Sequence, residues 1–170
     1  MDKFVALAKQ AVEEYVKNGK IIETPSNLSA EFLKKGGVFV TIKKNGELRG
    51  CVGTYLPTRE NLAQEIISSA ISACAYDDRF YPVNEKELPD LNYEVSILSE
   101  PQKIKTLEKH NPKKHGLIVA TPDGRRGLLL PDLEGINTTE EQINIACQKG
   151  GIYPYEDKIE FYSFTVEKHV

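Results

Sequence analysis

Apolar residues recur at helical spacing near the start of the chain. Phe4, Leu7, Ala8, Ala11, Val12, Tyr15 and Val16 fall on one face of a helix over residues 4–17, which Asn18-Gly19 stops. Lys, Gln and Glu fill the opposite face, so this helix lies on the surface of a core. Thr24-Pro25-Ser26 reads as a loop. The pattern then becomes that of a strand over residues 37–43. Lys44-Asn45-Gly46-Glu47 reads as a hairpin turn, because Asn-Gly tolerates the positive φ values of a type I′ turn, and residues 49–55 form the returning strand.

Pro57-Thr58-Arg59-Glu60 opens a second helix, with Leu62, Ala63, Ile66, Ile67, Ala70, Ala73 and Cys74 as a nearly continuous apolar stripe. That stripe faces a sheet and places Cys74 in the core. The helix ends in Tyr76-Asp77-Asp78-Arg79-Phe80-Tyr81-Pro82, a dense mixture of charge and aromatic rings. Residues 87–91 read as a turn into a strand over 93–98. Two short apolar strands, 115–120 and 127–131, flank the turn Thr121-Pro122-Asp123-Gly124. Thr138-Thr139-Glu140-Glu141 is a capping box for a helix through Ile143 and Ala146 to Cys147, ended by Gly150-Gly151. A last strand spans 161–166. Hairpin signals combined with amphipathic helices predict an α+β fold, a mainly antiparallel sheet covered by helices. With no repeat and no linker, residues 1–170 read as one domain.

Composition narrows the function more than the fold. A net charge of -3 and a pI near 5.7 argue against broad, non-specific nucleic-acid binding. No apolar run approaches the roughly 20 residues of a membrane span, and Lys9 interrupts the N-terminal stretch too soon for a signal peptide. Cys51, Cys74 and Cys147 are odd in number, widely spaced and without a Cys-x-x-Cys pair. This is neither a disulfide framework nor a zinc pattern, and it predicts a cytoplasmic protein with reduced thiols. Three scattered histidines give no metal signature, and no motif names a cofactor.

The candidate chemistry centres on Glu47-Leu48-Arg49-Gly50-Cys51-Val52-Gly53-Thr54-Tyr55. Glycine inside a strand marks a bulge or the close approach of a backbone or ligand. Gly50 and Gly53 would leave Cys51 an uncrowded approach, with Arg49 supplying positive charge beside it. Leu48-Arg49-Gly50-Cys51-Val52-Gly53-Thr54, Asp78-Arg79-Phe80-Tyr81-Pro82, Tyr93-Glu94-Val95-Ser96-Ile97-Leu98, His115-Gly116-Leu117-Ile118-Val119 and Gly127-Leu128-Leu129-Leu130-Pro131 occur in that order. Together the set resembles the AMMECR-type domain family, whose prokaryotic members are called protein A of AmmeMemoRadiSam systems. Val52 stands where the hallmark Leu-Arg-Gly-Cys-Ile-Gly has isoleucine. The family's Asp-Pro-Arg-Phe reads Asp77-Asp78-Arg79-Phe80. The resemblance implies an α+β domain with a larger and a smaller lobe, of unassigned biochemical activity, in a pathway with Memo-like and radical-SAM proteins.

Two functional readings follow. In the first, Cys51 is a nucleophile with His115 as its general base, acting on a small anionic or nucleotide-like substrate. Arg49, Gly50, Gly53, Asp78, Arg79 and Glu94 would line the substrate cleft, and Arg126 would join the two arginines on the anion. Packed arginines need a counter-charge, expected from Asp78, Glu94 or the ligand. In the second reading, the same groove is a non-catalytic adaptor surface for a protein partner and Cys51 is small core filling. His110 and His169 are expected to be solvated side chains.

Overall fold

The computed structural model describes residues 1–170. In chain order the elements are α1 (Lys3–Asn18), β1 (Gly37–Lys44), β2 (Glu47–Thr54), α2 (Leu62–Ala75), β3 (Leu91–Leu98), β4 (Gln102–Ile104), β5 (Gly116–Ala120), β6 (Arg126–Leu129), α3 (Thr139–Gly150), β7 (Glu160–Phe164) and β8 (Val166–His169), with short 3-10 turns at Ala30–Leu33 and Glu85–Asp90. They form two compact units, Met1–Leu98 with Glu167–Val170, and Ser99–Val166.

The first unit holds the sheet β2-β1-β3-β8. Asp2 caps α1 by accepting the amides of Phe4 and Val5, and Gly19 closes the helix in the left-handed conformation. Asn45 and Gly46 both take positive φ, as the hairpin between β1 and β2 requires. Val38, Val40 and Ile42 alternate along β1 and are fully buried with Val12 of α1, Ile66 and Ala70 of α2 and Val95 of β3 in one apolar cluster. The opposite face of β1 carries Phe39, Thr41 and Lys43.

The second helix starts later than its sequence suggests. Asn61 is the N-cap, accepting from the Gln64 amide, so Pro57-Thr58-Arg59-Glu60 is a loop in front of the helix. Glu65, with only 1% of its surface exposed, holds that loop. It accepts hydrogen bonds from the amides of Thr58 and Arg59 and from the hydroxyls of Thr54 and Thr58. A glutamate on an apolar stripe thus ties β2 to the loop beneath it.

The second unit holds the sheet β4-β7-β5-β6. All of β5 is buried, and Leu117, Val119 and Leu129 pack with Ala146 and Cys147 of α3. The terminal strand is divided at Thr165: β7 ends at Phe164, and β8 pairs with β3 in the first sheet. The sequence gives no sign of this break, because the aromatic residues of β7 run through Thr165 into the β-branched Val166 that opens β8 without a turn residue between them. No helix is long and apolar enough to cross a membrane.

Candidate functional site

Cys51 lies on β2, the edge strand of its sheet, directly opposite Thr41 of β1. An edge strand exposes a row of unpaired backbone groups. At Cys51 both are satisfied by side chains from the segment after α2. Its amide donates to Oδ2 of Asp77 at 2.9 Å, and its carbonyl accepts from Nη2 of Arg79 at 3.2 Å. Asp77 and Arg79 are locked to each other: Arg79 donates Nε to Oδ1 at 2.9 Å and Nη2 to Oδ2 at 2.7 Å. The pair therefore occupies the place of a missing neighbour strand, presenting one acceptor and one donor. Asp77 is buried, and the hydrogen bonds from Arg79 hold its carboxyl well below the usual carboxylate range.

The Cys51 side chain points to the face that carries Thr41, whose Oγ1 is 3.2 Å from the thiol sulfur. The flanking glycines have a packing cause. A Cβ on Gly50 would lie 2.1 Å from the carbonyl oxygen of Ala73, so α2 rests directly on the strand. A Cβ on Gly53 would lie 2.0 Å from the carbonyl oxygen of Val38 and 2.7 Å from the ring of Phe39. The expected close approach is real, but the protein itself makes it, and the glycines are not evidence of a ligand at the thiol.

Arg49 is committed to a carboxylate. It donates Nε and Nη2 to the two oxygens of Glu87, both at 3.0 Å, and Lys44 and Asn84 add further hydrogen bonds to the same carboxylate. The Arg49 hydrogen bonds lower the Glu87 pKa to about 2. Phe80 lies between the two arginines, its ring centroid 6.0 Å from the Arg49 guanidinium carbon and 5.5 Å from that of Arg79. Arg49, Asp78, Arg79, Phe80, Tyr81 and Pro82 line an open pocket of about 730 Å³. No group of three or more His, Cys, Asp or Glu side chains converges in a way that would hold a metal ion.

A family model described as AMMECR1 matches residues 5–169 of this chain. The chain belongs to the AMMECR1 family. A Thermotoga maritima protein is 48% identical over 168 residues, covering 98% of this chain and 96% of that protein. A Clostridium acetobutylicum protein is 44% identical over 169 residues, but the chain spans only 34% of its length. The crystal structure of the uncharacterised protein PH0010 from Pyrococcus horikoshii superposes with a TM-score of 0.86 at 36% identity, covering 97% of this chain and 88% of that one.

In this AMMECR1 chain the residues singled out in the sequence separate into three places. Arg49, Asp78 and Arg79 share the pocket described above, backed by the peptide of Cys51. Glu94 lies on β3 opposite Thr41, on the same sheet face as Cys51, but its partners are Lys43 and Lys168, so it does not neutralise the arginines. Asp78 is exposed, and the counter-charges come instead from Asp77 and Glu87. His115 belongs to the second unit, just ahead of β5, as does Arg126, the first residue of β6. His115 accepts the Asn111 amide at Nδ1, 2.9 Å away, which fixes the proton of the neutral ring on Nε2. Its exposed nitrogen is thus a donor, and the role of general base to Cys51 has no support in its hydrogen bonding. His169, expected to be solvated, is pinned between Asp2 and the Phe4 ring.

Asp77, Glu87 and Glu65 were not read as site residues from the sequence. Asp77 had a signal: in the Asp-Pro-Arg-Phe form the aspartate falls on position 77, and Asp78 stands where the proline would be. Glu87 also had one, since Asn84 and Glu87 form a capping box.

The three thiols differ in access. Cys51 is half-buried and Cys74 and Cys147 are buried. Burial pushes Cys74 up to about 11 and raises Cys147 as well. Iodoacetamide will therefore label Cys51 first in the native protein, followed by peptide mass mapping across a pH series. Labelling of Cys74 or Cys147 at the rate of Cys51 would show that the native fold does not protect them.

Proposed function

We propose that this chain is a binding module whose recognition site is the Arg49–Arg79–Phe80 pocket at the edge of β2, and that it takes the anionic group of a small ligand without using the Cys51 thiol. The observation that carries this reading is the locking of both guanidinium groups. Each spends Nε and Nη2 on a carboxylate behind the pocket, which leaves Nη1 of each to a ligand. An arginine already held by its counter-ion loses little side-chain entropy when it binds. Two such groups beside an aromatic ring form a preorganised donor surface. Their charges are balanced by Asp77 and Glu87, so recognition rests on oriented donors, and salt will weaken it only modestly.

The thiol-enzyme reading has less to stand on. The hydrogen-bonding partner of Cys51 Sγ is the Thr41 hydroxyl, and the glycines beside it are explained by packing. A protein partner is the second reading, favoured by Tyr81 and Tyr76, which are 91% and 69% exposed on the segment that carries Arg79. Tyr and Arg are the residues that dominate interface hot spots. Memo-like and radical-SAM proteins are the partners to try first.

Titration with phosphate, succinate and adenosine monophosphate, followed through the Nε–H signals of Arg49 and Arg79 by NMR, tests the pocket. At least one of these anions should move both signals saturably. If none does, and a protein partner does, the adaptor reading takes its place.

A further inference from the structure

A second cavity lies wholly within the other unit. Ser99, Gln102, Ile104, Thr106, Lys109, His110, His115, Ser163, Phe164 and Thr165 line about 330 Å³, and only a few of these matter for its chemistry. The carbonyl of His115 accepts from Nε2 of the fully buried Gln142 at 3.0 Å. That bond makes the other amide atom of Gln142, Oε1, an acceptor, so His110 must donate Nε2–H to it, at 2.6 Å. His110 is then left with Nδ1 buried and without a partner. As shown above, His115 has its proton on Nε2, and that group meets no protein acceptor. Burial, with His110 and Lys114 beside it, keeps the His115 pKa below the ordinary histidine value, so the ring is a neutral donor near pH 7.

Ser99, Thr106 and Lys109 add further donors. The Ser99 hydroxyl accepts the Thr165 amide and the Thr106 hydroxyl accepts the Glu108 amide, which leaves both hydroxyl hydrogens free. Lys109 is exposed and has no carboxylate partner. No Asp or Glu lines the cavity. The segment 103–115 that wraps it carries five lysines against one glutamate, in a chain whose net charge is -3. Lys103 alone of the five is neutralised, by Glu160.

We infer that this cavity is a binding site for a phosphoryl group, such as that of a phosphate monoester, held by the His115 imidazole N–H, the Lys109 ammonium and the hydroxyls of Ser99 and Thr106. The shape of the donor set selects phosphate over carboxylate. The planar arginine fork, which fits carboxylate and phosphate alike, is absent here, and a lysine point charge with single-point donors arriving from several directions suits a tetrahedral oxyanion. Ile104 and Phe164 offer apolar surface to the rest of the ligand. The site is independent of the Arg49–Arg79 pocket, and neither requires the other.

The test is an NMR titration of the full chain with inorganic phosphate, and separately with succinate, an anion of similar charge. The ring signals of His110 and His115 report this cavity, and the Nε–H signals of Arg49 and Arg79 report the other pocket, so either site can fail alone. Phosphate should move the His115 signals saturably and bind more tightly there than succinate. Lys109→Glu, a change at an exposed position, should weaken phosphate about tenfold or more, the scale of a lost charge-assisted hydrogen bond, and His115→Gln should also weaken it. Unmoved histidine signals, equal affinity in Lys109→Glu, or succinate as tight as phosphate would each overturn the assignment.

Discussion

Glu65→Ala is expected to destabilise the protein by about 2–4 kcal/mol, because a buried carboxylate serving four donors is removed at once. Two of those donors are backbone amides, of Thr58 and Arg59, and two are the hydroxyls of Thr54 and Thr58. Hydrogen bonds to a charged group contribute about 1.5–3 kcal/mol each, but the loop is exposed enough for its amides to regain water, which caps the sum. Glu65→Gln keeps one acceptor oxygen and turns an amide donor towards the remaining donors, so it recovers only part of the loss. Urea denaturation gives the magnitude, and hydrogen exchange at Thr58 and Arg59 should accelerate in both variants. A loss below about 1 kcal/mol in Glu65→Ala would mean that the loop is held by something else.

Asp77→Asn should cost about 2–3 kcal/mol at neutral pH, with a distinctive pH dependence. Arg79 is roughly half exposed, its side chain retaining 53% of its surface, and water replaces much of what it loses. Asparagine keeps one oxygen but turns an NH2 donor towards either the Cys51 amide or the Arg79 guanidinium, so one of the donors that Asp77 serves loses its acceptor, and Arg79 is held less firmly against the Cys51 carbonyl. The native carboxyl of Asp77 is depressed by Arg79, so its stabilisation is fully present above the unfolded aspartate pKa of about 4 and is lost as pH falls from there towards the folded value. Glu87, lowered to about 2 by Arg49, behaves in the same way between about 4 and 2. The stability gap between wild type and Asp77→Asn should therefore narrow steadily below pH 4. A gap that stays constant from pH 7 to pH 3 would show that the charge on Asp77 does not matter to the fold.

Most elements were legible because their signals are local. The Asn45-Gly46 turn, the stripe from Leu62 to Cys74 and the capping box at Thr138 depend on residues a few positions apart. β4 was not legible, since Gln102-Lys103-Ile104 has no alternation to detect and gains strand geometry only by pairing with β7. The start of α2 was misplaced because Pro57-Thr58-Arg59-Glu60 carries helix-opening residues, and only the distant reach of Glu65 shows that they form a loop.

The candidate site divides along the same line. Arg49 and Arg79 could be found, because a fixed charge inside a recognisable motif is visible in one dimension. Their partners could not. Cys51 meets Asp77 across 26 residues and Arg49 meets Glu87 across 38, and the local signals those two acids carry say nothing of which distant residue each one meets. The two glycines misled for a physical reason: a glycine reports that something approaches closely, without saying whether it is a ligand, a helix or a ring.

A β2-edge pocket that binds through its arginines, as proposed, does not need the thiol. Its most direct test is the affinity of the best anion from the titration series, measured at the Arg49 Nε–H signal in wild type, Cys51→Ser and Arg79→Ala. Unchanged affinity is expected in Cys51→Ser, and a loss of about tenfold or more in Arg79→Ala. Binding abolished in Cys51→Ser and intact in Arg79→Ala would contradict the proposal and return the site to the thiol.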